Sequence, residues 1–415
     1  MKILKRKTKY RVGIGFATGR KSFLKVLKSH IFNWREAGLV NQHHLSLNVF
    51  IAYDLTYRQA NKTDFTRIPL DLMESVDQIQ FIGQTTLRKE INYLVAAGVI
   101  TYPEASLIFG KGYASLRNAI LYSALKHQMD CLLYFDDDEY PVAVTNTRNS
   151  VIWGGQQGVT THLQYIREAD VTSGYHCGYI SPIPYLNYNS DLSETDFRTF
   201  IEAISNDILN WEKVKEVMEN GGVTYADTAV LTAKQAQEVP EIKGTKFIAG
   251  SNLCLNLKNP DRVFPFYNPP GARGEDAFYS TCLSKHHVLR VPCYTFHDGF
   301  AAYNHLLEGV LPTKLRLIKG DNKRVVARFY RACVGWVRYK PLLIYLTQRD
   351  VYQDKMNSVA RKLELTLPKL ARYFQQPKFL LILNEFQKYR ANVVKHAEEF
   401  RRTQAIWNKI REGVL

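Results

Sequence analysis

Apolar segments typical of buried strands alternate with amphipathic segments between Arg11 and Phe135, and this alternation constrains the fold most. Short apolar runs of strand length occur at Arg11–Phe16, Ser46–Asp54, Gln78–Gly83 and Leu132–Phe135. Apolar residues at helical spacing lie between them, at Lys21–Phe32, Leu87–Ala97 and Ser115–His127. Strands that alternate with helices indicate a sheet with both faces covered. The sequence therefore predicts an α/β fold with a mainly parallel sheet flanked by helices.

The last of these strands runs into a cluster of acids, in the stretch CLLYFDDDEYP. The residues Asp136–Glu139 follow the strand directly, and Pro141 stops it from continuing. Adjacent like charges repel, so the cluster is costly unless water or a cation relieves it. Ligands of parallel sheets bind outside the carboxyl ends of the strands, and Asp54 ends the second strand at that same edge. An acidic loop tip is the alternative, but the position favours a binding site.

Other aspartate motifs do not fit this cluster. Tyr140 stands where a terpene-synthase DDxxD needs aspartate and where a phosphatase DxDxT needs threonine, and Tyr140 and Pro141 exclude an EF-hand loop. A strand-end D-x-D that binds a divalent cation remains. Magnesium and manganese prefer oxygen ligands and commonly bind one or two carboxylates together with substrate phosphates. The cluster therefore predicts a cation that holds a diphosphate.

Three segments of the sequence, between roughly residues 10 and 300, carry motifs of one known enzyme family. The first is GYASLRNAILYSALKHQMDCLLYFDDDEYP, in which an Arg-Asn helix precedes an apolar strand that ends in D-x-D. The second is NPPGARGEDAFYSTCL (Asn268–Leu283), similar to the Glu-Asp element of the family, and the third is YTFHDGF (Tyr294–Phe300), which can supply a histidine to the metal. In this order the segments resemble family 2 glycosyltransferases of the GT-A fold, and the resemblance implies a GT-A type, Rossmann-like sheet and a nucleotide-sugar-dependent hexosyltransferase.

The resemblance also implies roles for individual residues. It assigns nucleotide-sugar binding to Thr18, Arg20, Asp54, Arg117, Asn118, Asp136 and Asp137. It assigns the cation, Mn²⁺ or Mg²⁺, to Asp136, Asp138 and His297. It makes Asp276 the general base, with Glu275 beside it in the catalytic pair. The first strand runs into GFATGR instead of the proline-tyrosine-asparagine turn of the family, so the nucleobase is not assigned; a UDP-sugar is favoured over a GDP-sugar.

The chemistry of sugar transfer makes matching demands on these residue types. Negative charge develops on the leaving diphosphate, where a cation stabilises it, and the acceptor hydroxyl must lose a proton to a carboxylate base. Asp276 begins a predicted helix, whose N-terminus favours an ionised carboxylate. Ordinary first-turn acids are the alternative for Glu275 and Asp276, and a structural histidine is the alternative for His297. An inverting reaction is predicted; a retaining transferase, or a catalytically silent sugar-nucleotide or glycan-binding module, are the competing hypotheses.

The positive charge of the chain, a formal net +16, lies at its C-terminal end. Residues 310–415 contain 23 Lys or Arg against 8 Asp or Glu, whereas residues 1–309 contain 32 and 31. We therefore expect a catalytic domain over 1–309, with a nucleotide-sugar half at about 10–150 and an acceptor half at about 151–300. A basic, mainly helical region follows over 310–415, with helices predicted at Lys323–Tyr339 and Phe379–Arg402.

The basic region predicts partners as well as structure. Arg and Lys mixed with aromatic residues suit an anionic membrane surface, and packing on the catalytic domain is the alternative. No nucleic-acid-binding module accompanies the charge, so no nucleic-acid partner is predicted. Six cysteines without a C-x-x-C pair fit a reducing compartment, and no apolar run is long enough to span a bilayer. The expected location is cytoplasmic, peripheral on the cytoplasmic face of the membrane, with a glycan or lipid-linked acceptor in polysaccharide biosynthesis of the cell envelope.

Overall fold

A computed structural model describes residues 9–56, 60–205, 211–303, 306 and 309–414. The basic start of the chain, over 1–8, lies outside the described residues. The strands are β1 Tyr10–Thr18, β2 Leu45–Tyr53, β3 Gln78–Ile82, β4 Cys131–Asp136, β5 Glu139–Tyr140, β6 Val142–Asn146, β7 Val151–Gly155, β8 Val171–Gly178, β9 Gln237–Glu238, β10 Glu241–Ile242, β11 Thr245–Lys246, β12 Leu253–Asn256 and β13 Val288–His297. The four strands predicted from the apolar runs are confirmed as β1 to β4.

In the described part of the chain, nine strands form one mixed sheet. Eight of them lie in the order β3-β2-β1-β4-β12-β8-β13-β5, and β9 pairs with β13 beside this row. Strands β3, β2, β1 and β4 are parallel, as are β8 and β13, but β12 is antiparallel to both of its neighbours. Strands β5 and β9 also pair antiparallel with β13. The prediction of a mainly parallel sheet is therefore correct only for the half that contains β1 to β4.

The sheet curls, and the connection from β4 to β5 shows why it must. Only Asp137 and Asp138 separate these strands, so their facing ends are at most about 11 Å apart. In a flat sheet the four strand spacings between them would span about 19 Å. A register shift in β13 between Arg290 and Tyr294 gives the strand an irregularity at which it can bend. The curl brings the carboxyl end of β13 back to the carboxyl end of β4.

Helices cover both faces of the sheet. They are α1 Phe23–Glu36, α2 Thr63–Thr66, α3 Leu70–Met73, α4 Gln84–Ala96, α5 Tyr102–Ile108, α6 Tyr113–Lys126, α7 Gly158–Tyr165, α8 Glu194–Ile204, α9 Trp211–Glu219, α10 Thr228–Ala233, α11 Glu275–Ser280, α12 Lys323–Thr347, α13 Tyr352–Tyr373, α14 Leu381–Ala391 and α15 Val393–Val414. Alternate β1 side chains such as Val12 and Ile14 pack with α1 in one hydrophobic cluster. On the other face, α6 approaches β1 so closely that a Cβ at Gly15 would lie 2.6 Å from Ile120. A glycine is therefore needed at this contact.

The C-terminal region is helical, as predicted, and packs against the rest of the chain. Helices α12, α13 and α14 share a hydrophobic cluster with α8 and α9, while Trp407 of α15 lies in the cluster that covers the β1–β4 half of the sheet. The predicted helix Phe379–Arg402 is wrong as a single element, because α14 ends at Ala391 and α15 begins at Val393. Between them the Asn392 side chain donates to the carbonyl of Lys388 at 2.8 Å, a local hydrogen bond that competes with helix continuation.

Within the described ranges, no helix combines the length and the apolar character that a bilayer span requires.

Candidate active site

The chain reverses its direction of travel across the sheet between β1 and β4. It adds β2 and β3 on one side of β1 and then crosses to place β4 on the other side. The carboxyl ends of such a pair diverge into a crevice, the usual ligand position in open α/β sheets. Thr18 ends β1, and Ala17 of the same strand pairs with Asp136 at the end of β4. Thr18 Oγ1 donates to Asp137 Oδ2 at 2.8 Å, and the backbone N–H of Asp54 donates to Thr18 O at 2.9 Å.

Arg20 neutralises two of the three clustered aspartates. Its Nε lies 3.0 Å from Asp137 Oδ1 and its Nη2 lies 2.8 Å from Asp138 Oδ2. Burial raises the pKa of Asp137 to about 7, although the charge of Arg20 opposes the shift. Burial acts in the same direction on Asp138, but the charges of His297 and Arg20 hold the pKa of that carboxyl well below its usual range. Asp138 is therefore the firmly ionised member of the pair.

His297 reaches the cluster through the pairing of β13 with β5. Glu139 lies opposite His297 in this pairing, and the Asp298 N–H donates to the carbonyl of Asp138 at 2.9 Å. The imidazole Nδ1 lies 2.7 Å from the carbonyl oxygen of Tyr179, so Nδ1 carries a proton and Nε2 faces Asp138 Oδ1 at 3.4 Å. Burial disfavours the charged ring, but the Asp138 carboxylate outweighs it and raises the pKa of His297 to about 9.

Arg117, on α6, lies between the D-x-D and the Glu-Asp element. Its side chain is only 3% exposed; Nη2 lies 2.8 Å from Asp136 Oδ1 and Nε lies 3.7 Å from Glu275 Oε1. Nη1 donates to the carbonyl of Gly250, and the guanidinium stacks 5.3 Å from the ring centroid of Tyr134. One buried cation therefore joins two carboxylates that are far apart in sequence. Burial still raises the pKa of Asp136 against the charge of Arg117.

Glu275 and Asp276 begin α11, as the sequence predicts. Gly274 precedes them in the left-handed conformation (φ 92°), and a Cβ there would lie 3.0 Å from the ring of Tyr339 on α12. Burial raises the pKa of both carboxyls, and for Glu275 the neighbouring Asp276 adds to the effect. Arg117 pairs with Glu275, whereas the Asp276 carboxylate accepts a hydrogen bond at 2.9 Å from the Ala277 N–H. A carboxyl with a raised pKa is suited to proton transfer near neutral pH.

Asn118 and Asp54 lie next to the site, but their polar groups are used within the protein. The Asn118 amide is 1% exposed, donates to the carbonyls of Ile108 and Phe266, and accepts from the Phe266 N–H at 2.7 Å. It ties α6 to the segment before the Glu-Asp element. The Asp54 carboxylate accepts from the N–H and the hydroxyl of Thr56 at 2.8 and 2.7 Å, which shapes the turn after β2.

Glu139 is a structural member of the cluster that sequence reasoning left without a role. It is 1% exposed and accepts from Ser251 Oγ at 2.6 Å and from Thr295 Oγ1 at 3.2 Å, with His176 Nε2 at 3.2 Å. Although burial opposes the shift, the charge and hydrogen bond of His176, the charge of His297 and the hydrogen bond from Ser251 lower the pKa of Glu139 to about 2. The partners come from strands or loops more than 30 residues away, so no local pattern identifies them. Glu139 fixes the turn that carries Asp137 and Asp138.

The predicted metal ligands are brought together only in part. Asp138 and His297 face each other, while Asp136 is turned toward Arg117. In the part of the chain that the structure describes, no three His, Cys, Asp or Glu side chains converge as a metal-binding group. The Asp138 carboxylate and the His297 Nε2 are chemically suited to Mn²⁺, which accepts oxygen and imidazole ligands, once the imidazole has lost its Nε2 proton. The metal ligation of all three residues therefore stays a prediction.

Comparison of the chain with protein-family models finds no match, and no curated protein matches it. The chemistry of the site must therefore be argued from its own residues. The site lies at the crevice between β1 and β4 and contains the ionised Asp138 beside His297. The buried Arg117 links this cluster to the Glu275 and Asp276 carboxyls at the N-terminus of α11.

Proposed function

We propose that this protein is a glycosyltransferase that moves a sugar from a nucleotide-sugar donor to a hydroxyl of a glycan or lipid-linked saccharide. The observation that carries the proposal is the convergence at one sheet edge of Asp136, Asp138 and His297 with Glu275 and Asp276. Acid clusters at strand ends and acids at a helix N-terminus are common separately. Arg117, which contacts both Asp136 and Glu275, makes them a single site.

The catalytic domain is proposed to have a GT-A type, Rossmann-like fold. The parallel strands β3-β2-β1-β4 and the switch point between β1 and β4 support it, since a nucleotide is expected at such a crevice. Thr18, Arg20 and Asp137 form a connected group on its floor. Asp54 is hydrogen-bonded to the same strand end and is proposed to lie nearest the nucleobase. A UDP-sugar is the first donor to test and a GDP-sugar the second.

A divalent cation, Mn²⁺ or Mg²⁺, is proposed to bind at Asp138 and His297, with Asp136 as the third protein ligand. When bound, the cation supplies positive charge to the diphosphate of the donor. Arg20 holds Asp138 at 2.8 Å and Tyr179 orients the His297 ring, so both side chains are positioned by the protein. Because His297 is protonated below a pKa of about 9, cation binding releases a proton and strengthens as the pH rises.

Asp276 is proposed as the general base of an inverting reaction. It receives the proton of the acceptor hydroxyl as that oxygen bonds to the anomeric carbon. Arg117 keeps Glu275 engaged, so the two neighbouring carboxyls have different surroundings. In the retaining alternative Asp276 binds the acceptor instead, and in the silent-module alternative no turnover occurs.

The proposal is tested by a donor-hydrolysis screen across UDP-, GDP- and CMP-sugars with manganese or magnesium, because transferases of this type often hydrolyse their cognate donor slowly. One nucleotide series should be hydrolysed, and NMR of the sugar product should show an inverted anomeric centre. Retention would favour the retaining mechanism. Binding of a nucleotide-sugar without hydrolysis or transfer to any acceptor would favour the silent module.

The basic region is proposed to bring this site to an acceptor at the cytoplasmic face of a membrane. Exposed basic residues of α14 and α15 such as Lys388 and Lys395, near exposed Leu381 and Val394, support a peripheral contact with anionic lipid. The screened electrostatic attraction of such a contact weakens as salt rises.

A further inference from the structure

Helix α12 brings a third arginine to the acid cluster, from a region 190 residues beyond it in sequence. The helix begins after Asn322, whose side chain caps it by accepting from the N–H groups of Arg324 and Val325. Arg328, one turn further, is half-buried, and its Cζ lies 4.1 Å from the ring centroid of Phe300. A Cβ at Gly299 would overlap the Arg328 guanidinium and would lie 2.7 Å from His297 Cε1. Arg328 therefore lies beside His297, where only a glycine leaves room for it.

The guanidinium of Arg328 is the feature of this cluster that the ion pairs leave unused. Among the described residues this guanidinium makes no hydrogen bond and no ion pair, and it contacts the Phe300 ring. Burial lowers the pKa of Arg328 to about 10, and the charges of Arg20, Arg273 and Arg331 act in the same direction, against the attraction of Asp138. The group remains a cation at neutral pH. Guanidinium donors that are half-buried without acceptors are costly, so a ligand that supplies acceptors would be bound favourably.

The ion pairs of the site are formed with other cations, not with Arg328. Arg20 is engaged by Asp137 and Asp138, and Arg117 by Asp136 and Glu275. Arg328 is thus a cation without an ion pair next to the residues proposed to hold the diphosphate. A guanidinium offers donors in a planar fork that matches phosphate oxygens.

We propose that Arg328 binds the diphosphate of the nucleotide-sugar donor, so that the C-terminal helical region contributes a substrate-binding residue to the active site. The inference rests on the proposed function and deepens it. During transfer the bond between the anomeric carbon and the diphosphate oxygen breaks, and its electron pair stays on that oxygen. A new bond forms from the acceptor oxygen to the anomeric carbon, and the proton of the acceptor goes to Asp276. Arg328 stabilises the negative charge that the departing diphosphate gains.

The test is calorimetric titration of the full chain with UDP, UMP, GDP and GMP in the presence of MnCl₂. In the wild type, one diphosphate should bind more tightly than its monophosphate. Arg328→Gln should weaken diphosphate binding by about tenfold to a hundredfold and leave monophosphate binding nearly unchanged. Arg328→Lys, which keeps the charge and the packing of the stem, should recover part of the preference. Arg324→Gln is the matched control, since it removes the same charge from an exposed position on the same helix.

The outcomes separate the inference from the proposed function. If the wild type prefers a diphosphate and Arg328→Gln and Arg328→Lys keep that preference, Arg328 does not bind it, while the transferase proposal stands. Equal losses for mono- and diphosphate in both Arg328 variants also overturn the inference, since they indicate a general structural effect. If the wild type binds no nucleotide, both proposals fail. Circular dichroism shows whether each variant is folded. If Arg328→Gln does not fold, the diphosphate preference of Arg328→Lys decides whether Arg328 binds the diphosphate.

Discussion

Replacing Arg117 with methionine should be among the most damaging single changes in this protein. The substitution keeps a long apolar stem but leaves Asp136 and Glu275 without their shared cation. At 2.8 Å the attraction between Arg117 and Asp136 is about 6 kcal/mol at an effective dielectric constant of about 20. Desolvation of the two ions offsets much of this attraction. Breaking a buried pair by removing one partner typically costs about 3–5 kcal/mol, because a buried charge is left uncompensated.

The loss of folding stability in Arg117→Met should be larger at high pH than at low pH. Burial already raises the pKa of Asp136 and of Glu275 in the folded chain, with Arg117 opposing the shift. Without Arg117 both folded-state pKa values rise further above their unfolded values of about 4. A raised carboxyl pKa costs stability at high pH, and the cost falls as the pH drops and the carboxyl takes up a proton. Arg117→Met should therefore be most destabilised near pH 8 and less so near pH 5.

Urea denaturation of the wild type and the variant at both pH values measures this effect. Arg198→Met is the control, since Arg198 Nε lies at the same distance of 2.8 Å from Glu202 Oε1, but on the exposed surface of α8. That variant should show little change at either pH. A loss of less than about 1 kcal/mol in Arg117→Met, or a loss that does not shrink between pH 8 and pH 5, would refute the reasoning.

Further predictions concern the metal, the base, the histidine and the tail. Asp138→Ala should abolish metal-dependent nucleotide diphosphate binding in calorimetry; undiminished binding would contradict the D-x-D assignment. Asp276→Asn should keep donor affinity and slow transfer by about 10²-fold or more, measured by product formation, and an unchanged rate would exclude it as the base. In NMR titration of the ligand-free chain, the pKa of His297 should lie near 9 and should fall in Asp138→Asn, and an unchanged pKa would contradict the pairing; the stabilising contribution of His297 is complete below about pH 6.5 and is lost as the pH rises through 9. Charge reversal at Lys388 and Lys395 should weaken sedimentation with anionic vesicles but not with neutral ones, and equal sedimentation with both would remove the membrane proposal.

The half of the fold that contains β1 to β4 could be predicted because short apolar runs of strand length alternate there with segments whose apolar residues have helical spacing. The antiparallel direction of β12 could not be predicted from the sequence. Its four residues, Leu253–Asn256, form a short apolar run, and periodicity does not distinguish a parallel from an antiparallel partner. The two-residue strand β5 was also beyond prediction, since its pairing with β13 depends on the curl of the whole sheet.

Part of the candidate site could likewise be predicted from the sequence, and part could not. Asp136 and Asp138 could be proposed from sequence because a strand end positions them directly. The orientation of Asp136 toward Arg117 could not, since it depends on how α6 and α11 pack. Arg328 gave no signal, because one arginine among many in a basic region looks like a surface charge until the fold places Gly299 and Phe300 beside it.

Several cations of the C-terminal region are used within the protein. Arg338 donates to the carbonyl of Gly271 at 2.7 Å and pairs with Glu385 at 2.8 Å, and buried Lys340 donates to the carbonyl of Ser205 at 2.5 Å. These cations hold the segment before Glu275 and the helices around α8, so they are not available to lipid. Tyr339 packs on Gly274, directly before the Glu-Asp pair. Removing residues 310–415 would thus remove Arg328, the support of α11 and parts of four hydrophobic clusters at once. The proposed membrane contact is therefore better tested at exposed residues such as those of α14 and α15, by point substitutions that leave the proposed active site intact, than by truncation.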